Sequence, residues 1–158
     1  MTDARHDVVV IGGGPGGYAA ALYGAGIGLD IGLVEMRRVG GTCLIEGCVP
    51  AKELLETASV YRTVGHAAEF GINSSAPTID WPVTMARKQR VIDQLIGGLT
   101  TLLKHRKVTV YDGIGSLRAD RRVVVRGGES GEKELEGGAV ILASGSKPRS
   151  IPGFAIDG

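Results

Sequence analysis

The first apolar positions form one short unbroken run, Val8-Val9-Val10-Ile11. A polar start over residues 1–7 precedes it, and Gly12-Gly13-Gly14-Pro15-Gly16-Gly17 stops it. A β-branched run of that length, ended by glycine, predicts a buried strand. Tyr18-Ala19-Ala20-Ala21-Leu22-Tyr23 predicts a helix directly after the turn, and residues 31–34 predict a second strand ending in Glu35. Farther on the period lengthens. Leu54, Leu55, Ala58 and Tyr61 recur at three- and four-residue spacing, which predicts one face of a helix starting near Pro50. Residues 73–77 read as a surface loop, and Asp80-Trp81-Pro82 as a helix start.

From about 83 to 105 the stripe Ile92, Leu95, Ile96, Leu99, Leu102 and Leu103 predicts a long helix. Arg87, Lys88 and Arg90 lie opposite it as a solvated face. Gly97-Gly98 falls inside this helix, at a cost of ~1 kcal/mol per glycine relative to alanine, so a closely approaching neighbour is expected there. Residues 108–111 predict a third core strand. Three short runs, 116–119, 123–126 and 133–135, are separated by turn signals at Asp120-Arg121 and 127–131, and predict a small antiparallel meander. Residues 139–142 predict a last buried strand, ending in Ala143-Ser144-Gly145. The fold class is α/β, with a parallel sheet, flanking helices and the meander.

Composition narrows the function classes. A chain of 158 residues suits one domain with a real core. Its net charge of +1 gives no basis for nucleic-acid or membrane-surface binding. No segment is apolar and long enough to span a bilayer, and the N-terminus lacks the apolar core of a signal peptide, so a cytoplasmic location is expected. There a close cysteine pair is more often catalytic or metal-binding than structural. Cys43 and Cys48 are the only cysteines, and His6, His66 and His105 are scattered, a poor set for the four ligands of a zinc site; no metal is expected.

Three features carry candidate chemistry. Gly12, Gly14 and Gly17 fit the spacing G-x-G-x-x-G between a strand and a helix. Gly12 permits the tight turn, Gly14 lets the backbone approach a pyrophosphate, and Gly17 lets helix pack on strand in a Rossmann-like unit. The helix N-terminus then presents unpaired N–H groups to phosphate. Glu35 lies about 20 residues beyond the turn, where a carboxylate can accept hydrogen bonds from a ribose. The third feature is Gly40-Gly41-Thr42-Cys43-Leu44-Ile45-Glu46-Gly47-Cys48-Val49-Pro50-Ala51-Lys52. A bridge between its cysteines needs Cα atoms roughly 4.4–6.8 Å apart. Five steps cover roughly 16 Å along a strand and roughly 8–9 Å along a helix. A distorted helical turn is therefore required if they pair, with Gly40, Gly41 and Gly47 supplying the freedom. Cys48 would sit at a helix N-terminus, where the dipole favours a thiolate, so the two thiols are expected to differ.

These pieces, with Ala143-Ser144-Gly145, make the chain resemble the FAD-binding domain of the pyridine nucleotide–disulfide oxidoreductases. Asp80-Trp81 and Met85-Ala86-Arg87-Lys88 are similar to the branch that oxidises dihydrolipoamide. The resemblance spans the whole chain and implies a redox disulfide, Cys43–Cys48. Cys43 would be the interchange thiol and Cys48 the thiolate facing the flavin. It implies FAD held by Gly12, Gly14, Pro15, Gly17, Glu35, Gly41, Thr42, Lys52, Gly113, Ala143, Ser144 and Gly145. It implies an FAD-binding domain over 1–150 and a linker at 151–158 toward an NAD-binding domain that this sequence lacks. In the whole enzyme it implies NAD as electron acceptor, a homodimer, and the lipoyl group of a 2-oxoacid dehydrogenase complex as partner, while the chain alone is expected to be inactive. Alternatives are a glutathione- or mercuric-reductase-like flavoenzyme, or a non-catalytic nucleotide-binding fragment. Ile45 stands where the family commonly has Asn or His, Ala51 where it has Ser or Thr, and Ser144 where it has Thr.

Overall fold

The computed structural model describes residues 4–128, 131–154 and 156. Ten principal elements follow in order. They are β1 (Ala4–Ile11), α1 (Pro15–Gly26), β2 (Ile31–Glu35), α2 (Gly41–Ile45), α3 (Cys48–Gly65), α4 (Trp81–His105), β3 (Thr109–Asp112), β4 (Ile114–Leu117), β5 (Arg122–Arg126) and β6 (Lys133–Leu142). The strands form one six-stranded sheet in the order β3-β2-β1-β6-β5-β4. β1 runs parallel to β2 and to β6, and β2 parallel to β3; β5 runs antiparallel to β4 and β6. The α/β class with a parallel sheet and an antiparallel meander therefore holds. Part of the polar N-terminus (residues 1–3), part of the turn at 127–131 (Glu129 and Ser130), and Ala155, Asp157 and Gly158 of the expected linker lie outside the described residues.

Alternation along the strands builds two cores. Val10, Ile31 and Leu33 face the helices, where they meet Ala21 of α1 and Ile92, Ile96 and Leu103 of α4. Val9, Ile11 and Val34 point to the other face, where they meet Val123, Val125 and Leu135 of the meander. The central strands β1 and β2 are thus covered on both sides, which explains their apolar runs. Gly115 lies so close over this face that a β-carbon on it would be 3.0 Å from Ile11 and 3.2 Å from Val34. Ile31, Leu33, Leu103 and Leu135 are the largest fully buried side chains, and truncating Leu33 or Leu103 to alanine is expected to cost ~2–5 kcal/mol each.

Several expectations are corrected. The run at 133–135 and the strand at 139–142 are one strand, β6. Gly137-Gly138, which separates them in sequence, runs on within the strand without a break. The β1–β6 register keeps one offset from Ala4↔Leu135 through His6↔Gly137 and Val8↔Ala139 to Ile11↔Leu142, so the glycine pair inserts no extra residue. The upper part of β6 is not buried; Leu142 is 63% exposed. β3 is an edge strand, mostly exposed, and only Val108 just before it enters the core. The predicted face of α3 is also solvated, with Leu55 61% and Tyr61 42% exposed. α3 leans on α4 through a narrower line that includes Glu53, ion-paired with Arg87 of α4. On α4, Ile92, Ile96 and Leu103 are buried but Leu95 and Leu102 are not. Nothing lies within 4 Å of a β-carbon at Gly97 or Gly98, so no neighbour approaches there. The helix start is as read: Asp80 is the N-cap and its carboxylate accepts from the Val83 N–H. No helix among the described residues is long and apolar enough to cross a membrane.

Candidate functional site

At the C-terminal ends of β1, β2 and β6 the chain opens a groove of about 930 Å³. This is the edge of a parallel sheet where ligands of open α/β folds bind. The glycine turn makes one wall. Gly12 has φ +104°, and a β-carbon on it would lie 2.2 Å from the Ala143 carbonyl oxygen, so only glycine lets the turn pass β6. A β-carbon on Gly17 would fall 1.7 Å from the Gly12 carbonyl oxygen; Gly17 is buried and packs helix against turn. Gly14 is the N-cap of α1 with Pro15 following it, and no side chain caps the helix. First-turn N–H groups therefore stay available to an acceptor in the groove.

Glu35 closes the next wall. Its Oε2 accepts from the Gly13 N–H at 2.7 Å and its Oε1 from the Arg37 N–H at 2.9 Å. Each oxygen retains a lone pair for a further donor. Gly113 stands behind it: its N–H donates to the Glu35 carbonyl at 2.9 Å, and φ +141° keeps the position to glycine.

The disulfide segment makes the facing wall. Short α2 carries Cys43, and the chain breaks at Glu46-Gly47 before α3 starts at Cys48. Gly40 (φ +122°) and Gly41 (φ +59°) supply the turn into α2. This bent pair of helices brings the Cα atoms of Cys43 and Cys48 to 4.7 Å, and the two are disulfide-bonded. The distorted turn expected from chain geometry is present, and Cys48 is the first residue of α3, at the positive end of its dipole. The disulfide segment also touches the glycine turn directly. The Gly40 N–H donates to the Gly13 carbonyl at 2.8 Å, and a β-carbon on Gly41 would lie 2.6 Å from the Gly14 Cα.

Of the residues singled out in the sequence, Gly12, Gly14, Pro15, Glu35, Gly41, Thr42, Cys43, Cys48, Ala143, Ser144 and Gly145 all line this groove. Gly17 and Gly113 support it from behind. Lys52 lies exposed in α3, outside the lining. Sequence reasoning missed Arg37, Arg38, Glu46 and Lys147, which also line it. The signal was available in the two arginines just after Glu35 and the glutamate between the cysteines. Arg37 Nη1 donates to Glu46 Oε1 at 2.8 Å, and Arg38 Nη2 to Asp93 Oδ1 of α4 at 3.0 Å. A second cavity of about 430 Å³ adjoins the first at Glu35 and opens beside Gly97. The missing side chain there borders open space, which is why no neighbour was found.

The family model for pyridine nucleotide-disulphide oxidoreductases matches residues 6–158. A dihydrolipoyl dehydrogenase of Bacillus subtilis (strain 168) is 40% identical over 162 residues, covering 98% of this chain and 34% of the relative. That of Chlamydia muridarum is 42% identical over 147 residues, covering 93% and 31%. Among solved structures, the Cu(II) complex of the HOCl-induced flavoprotein disulfide reductase RclA from Escherichia coli superposes with a TM-score of 0.77. It shares 23% identity, over 94% of this chain and 30% of that one, and shows the same fold. The chain spans about a third of the length of these relatives.

Proposed function

The chain belongs to the pyridine nucleotide–disulphide oxidoreductase family, and from that premise we propose that it is the FAD-binding portion of an enzyme oxidising dihydrolipoamide with NAD⁺. The observation that carries this reading is the Cys43–Cys48 disulfide on the wall of the groove that the glycine turn and Glu35 also build. The domain division is 1–150 for FAD binding and 151–158 for a linker. An NAD-binding part, a homodimeric assembly, a lipoyl-bearing partner and a cytoplasmic setting complete the proposal for the whole protein.

The residues present fit FAD. A β-carbon on Gly12 or Gly41 would crowd backbone, whereas Gly14 lies on the groove with only ordinary contact to Gly41. The uncapped start of α1 suits a pyrophosphate. Glu35 suits the adenosine ribose, and Thr42 with residues 143–145 lines the remainder. Lys52 belongs to the flavin end in this reading. FAD, when bound, supplies a two-electron acceptor for the reduced cysteines.

The chain's own chemistry is thiol–disulfide exchange. A dihydrolipoamide thiolate attacks Cys43 Sγ, the Cys43–Cys48 bond breaks, and Cys48 leaves as a thiolate favoured by the α3 dipole. The second substrate thiolate then attacks its own sulfur in the mixed disulfide. Cys43 is released, lipoamide forms its internal disulfide, and two electrons remain on the cysteine pair.

The test uses the purified chain. Reconstitution with FAD is expected to give a flavin spectrum, and stoichiometric dihydrolipoamide to release two thiols that labelling assigns to Cys43 and Cys48. A disulfide that dihydrolipoamide cannot reduce would sink the substrate assignment. For the whole protein, the measurement is NAD⁺ reduction driven by dihydrolipoamide, compared with glutathione and mercuric ion.

A further inference from the structure

A string of hydrogen bonds runs from the glycine turn to the disulfide turn. The Gly13 N–H donates to Glu35, the Arg37 N–H donates to the same carboxylate, and the Arg37 guanidinium donates to Glu46. Glu46 is the C-cap of α2, between the two cysteines in the chain, and lines the same groove as both. A bare carboxylate there would oppose a thiolate on either sulfur.

We propose that Arg37 is a positioning and charge-balancing residue for the redox pair, holding the Glu46 carboxylate so that its charge does not act on the forming thiolate. This rests on the redox reading of Cys43–Cys48 given above. The ion pair is 2.8 Å long, with side chains 54% and 49% exposed. Its environment is consistent: the Glu46 hydrogen bond and charge push the Arg37 guanidinium above its ordinary value, Glu35 adds to this, and burial opposes it. Arg38 turns the other way, to Asp93, so consecutive arginines tie the β2–α2 connection to the disulfide turn and to α4. The other charges around the pair are Glu35 and Lys147 on the groove, Asp93 on α4, and Lys52 and Glu53 in the first turns of α3, with Glu53 held by Arg87.

The test follows alkylation of each cysteine by iodoacetamide across pH 6–10, in the chain reduced by dithiothreitol and then freed of it. Arg37→Met is expected to raise the pH midpoint of the more reactive thiol by roughly half a unit, slowing labelling about threefold at neutral pH. Glu46→Gln is expected to lower the midpoint, because Arg37 then stands unopposed. The double variant is expected to return close to the native midpoint, which a merely structural contact would not do. Should Arg37→Met not fold, Glu46→Gln alone decides the matter by its sign. Unmoved midpoints, or both single variants shifting the same way, overturn the proposal. Failure of dithiothreitol to open the native disulfide would instead overturn the redox reading itself, so the two failures are distinct.

Discussion

Gly41 and Gly14 meet backbone to backbone: a β-carbon on Gly41 would lie 2.6 Å from the Gly14 Cα. The helix that carries Cys43 and the turn that opens α1 thereby pack directly against each other. Gly41→Ala adds two penalties, an L side chain at φ +59° and a clash with backbone that cannot rotate away. Stability is expected to fall by about 2–3 kcal/mol, with FAD binding weakened in parallel. Gly28→Ala is the control. Its φ of +91° is also positive, but nothing lies within 4 Å, so strain alone applies and the loss is expected near ~1 kcal/mol. Urea unfolding of the two variants checks the difference; equal losses would remove the contact from the account.

The residues that line the groove were more legible in the sequence than the packing around them. Turns and cysteines announce themselves by residue type, and Gly12, Gly14, Glu35, Cys43 and Cys48 all came to one groove. Apolar periodicity misled where a helix face is left open. Leu55, Tyr61, Leu95 and Leu102 have the right spacing, yet all four stay exposed among the described residues. Glycine pairs were the other source of error, because the same dipeptide serves opposite ends. Gly137-Gly138 continues β6 in unbroken register and Gly97-Gly98 borders open space, and no local signal separates these from a break or a close contact. Arg37 and Glu46 stand at telling positions, beside Glu35 and between the cysteines, yet a charged residue in a polar segment reads as solvated until its partner across the groove is known.

Glu35 serves the fold before any ligand arrives, since both its oxygens accept backbone N–H groups. Glu35→Ala leaves the Gly13 and Arg37 N–H groups without that acceptor and is expected to cost about 1–3 kcal/mol. Glu35→Gln keeps one acceptor oxygen and turns an NH₂ toward the other donor, so it is expected to lose about half as much. Chemical denaturation of native, Gln and Ala forms should rank them in that order; a Gln variant as weak as Ala would mean that charge, not acceptor geometry, holds the turn.

Gly98 sits mid-helix in α4 with open space where its side chain would project, and it does not line the cavity beside Gly97. Gly98→Ala therefore gains helix propensity with no steric cost. The expected result is a gain of about 0.5–1 kcal/mol, read as a melting temperature about 2–4 °C higher. Scanning calorimetry that shows a loss instead would place an unseen contact on that face.

Tyr111 gives the fold an alkaline limit. Its hydroxyl lies 2.8 Å from His6 Nε2, and His6, 7% exposed, packs across Gly32 because that residue has no β-carbon to keep it away. Burial first, and the charge of Asp30 second, push the Tyr111 hydroxyl above its ordinary value of 10.0. In the unfolded chain the same group ionises near that ordinary value. Below it, both states carry the proton and Tyr111 contributes no pH dependence. Above it, the unfolded state releases its proton before the folded state does, so the folded chain binds more protons and stability falls as pH rises. Native protein is therefore expected to lose melting temperature more steeply above pH 10 than Tyr111→Phe, which has no proton to release. The variant starts lower at neutral pH, because the hydrogen bond to His6 is gone. Melting curves at half-unit steps from pH 8 to 11 measure both effects, and parallel slopes for the two proteins would show that Tyr111 does not set this limit.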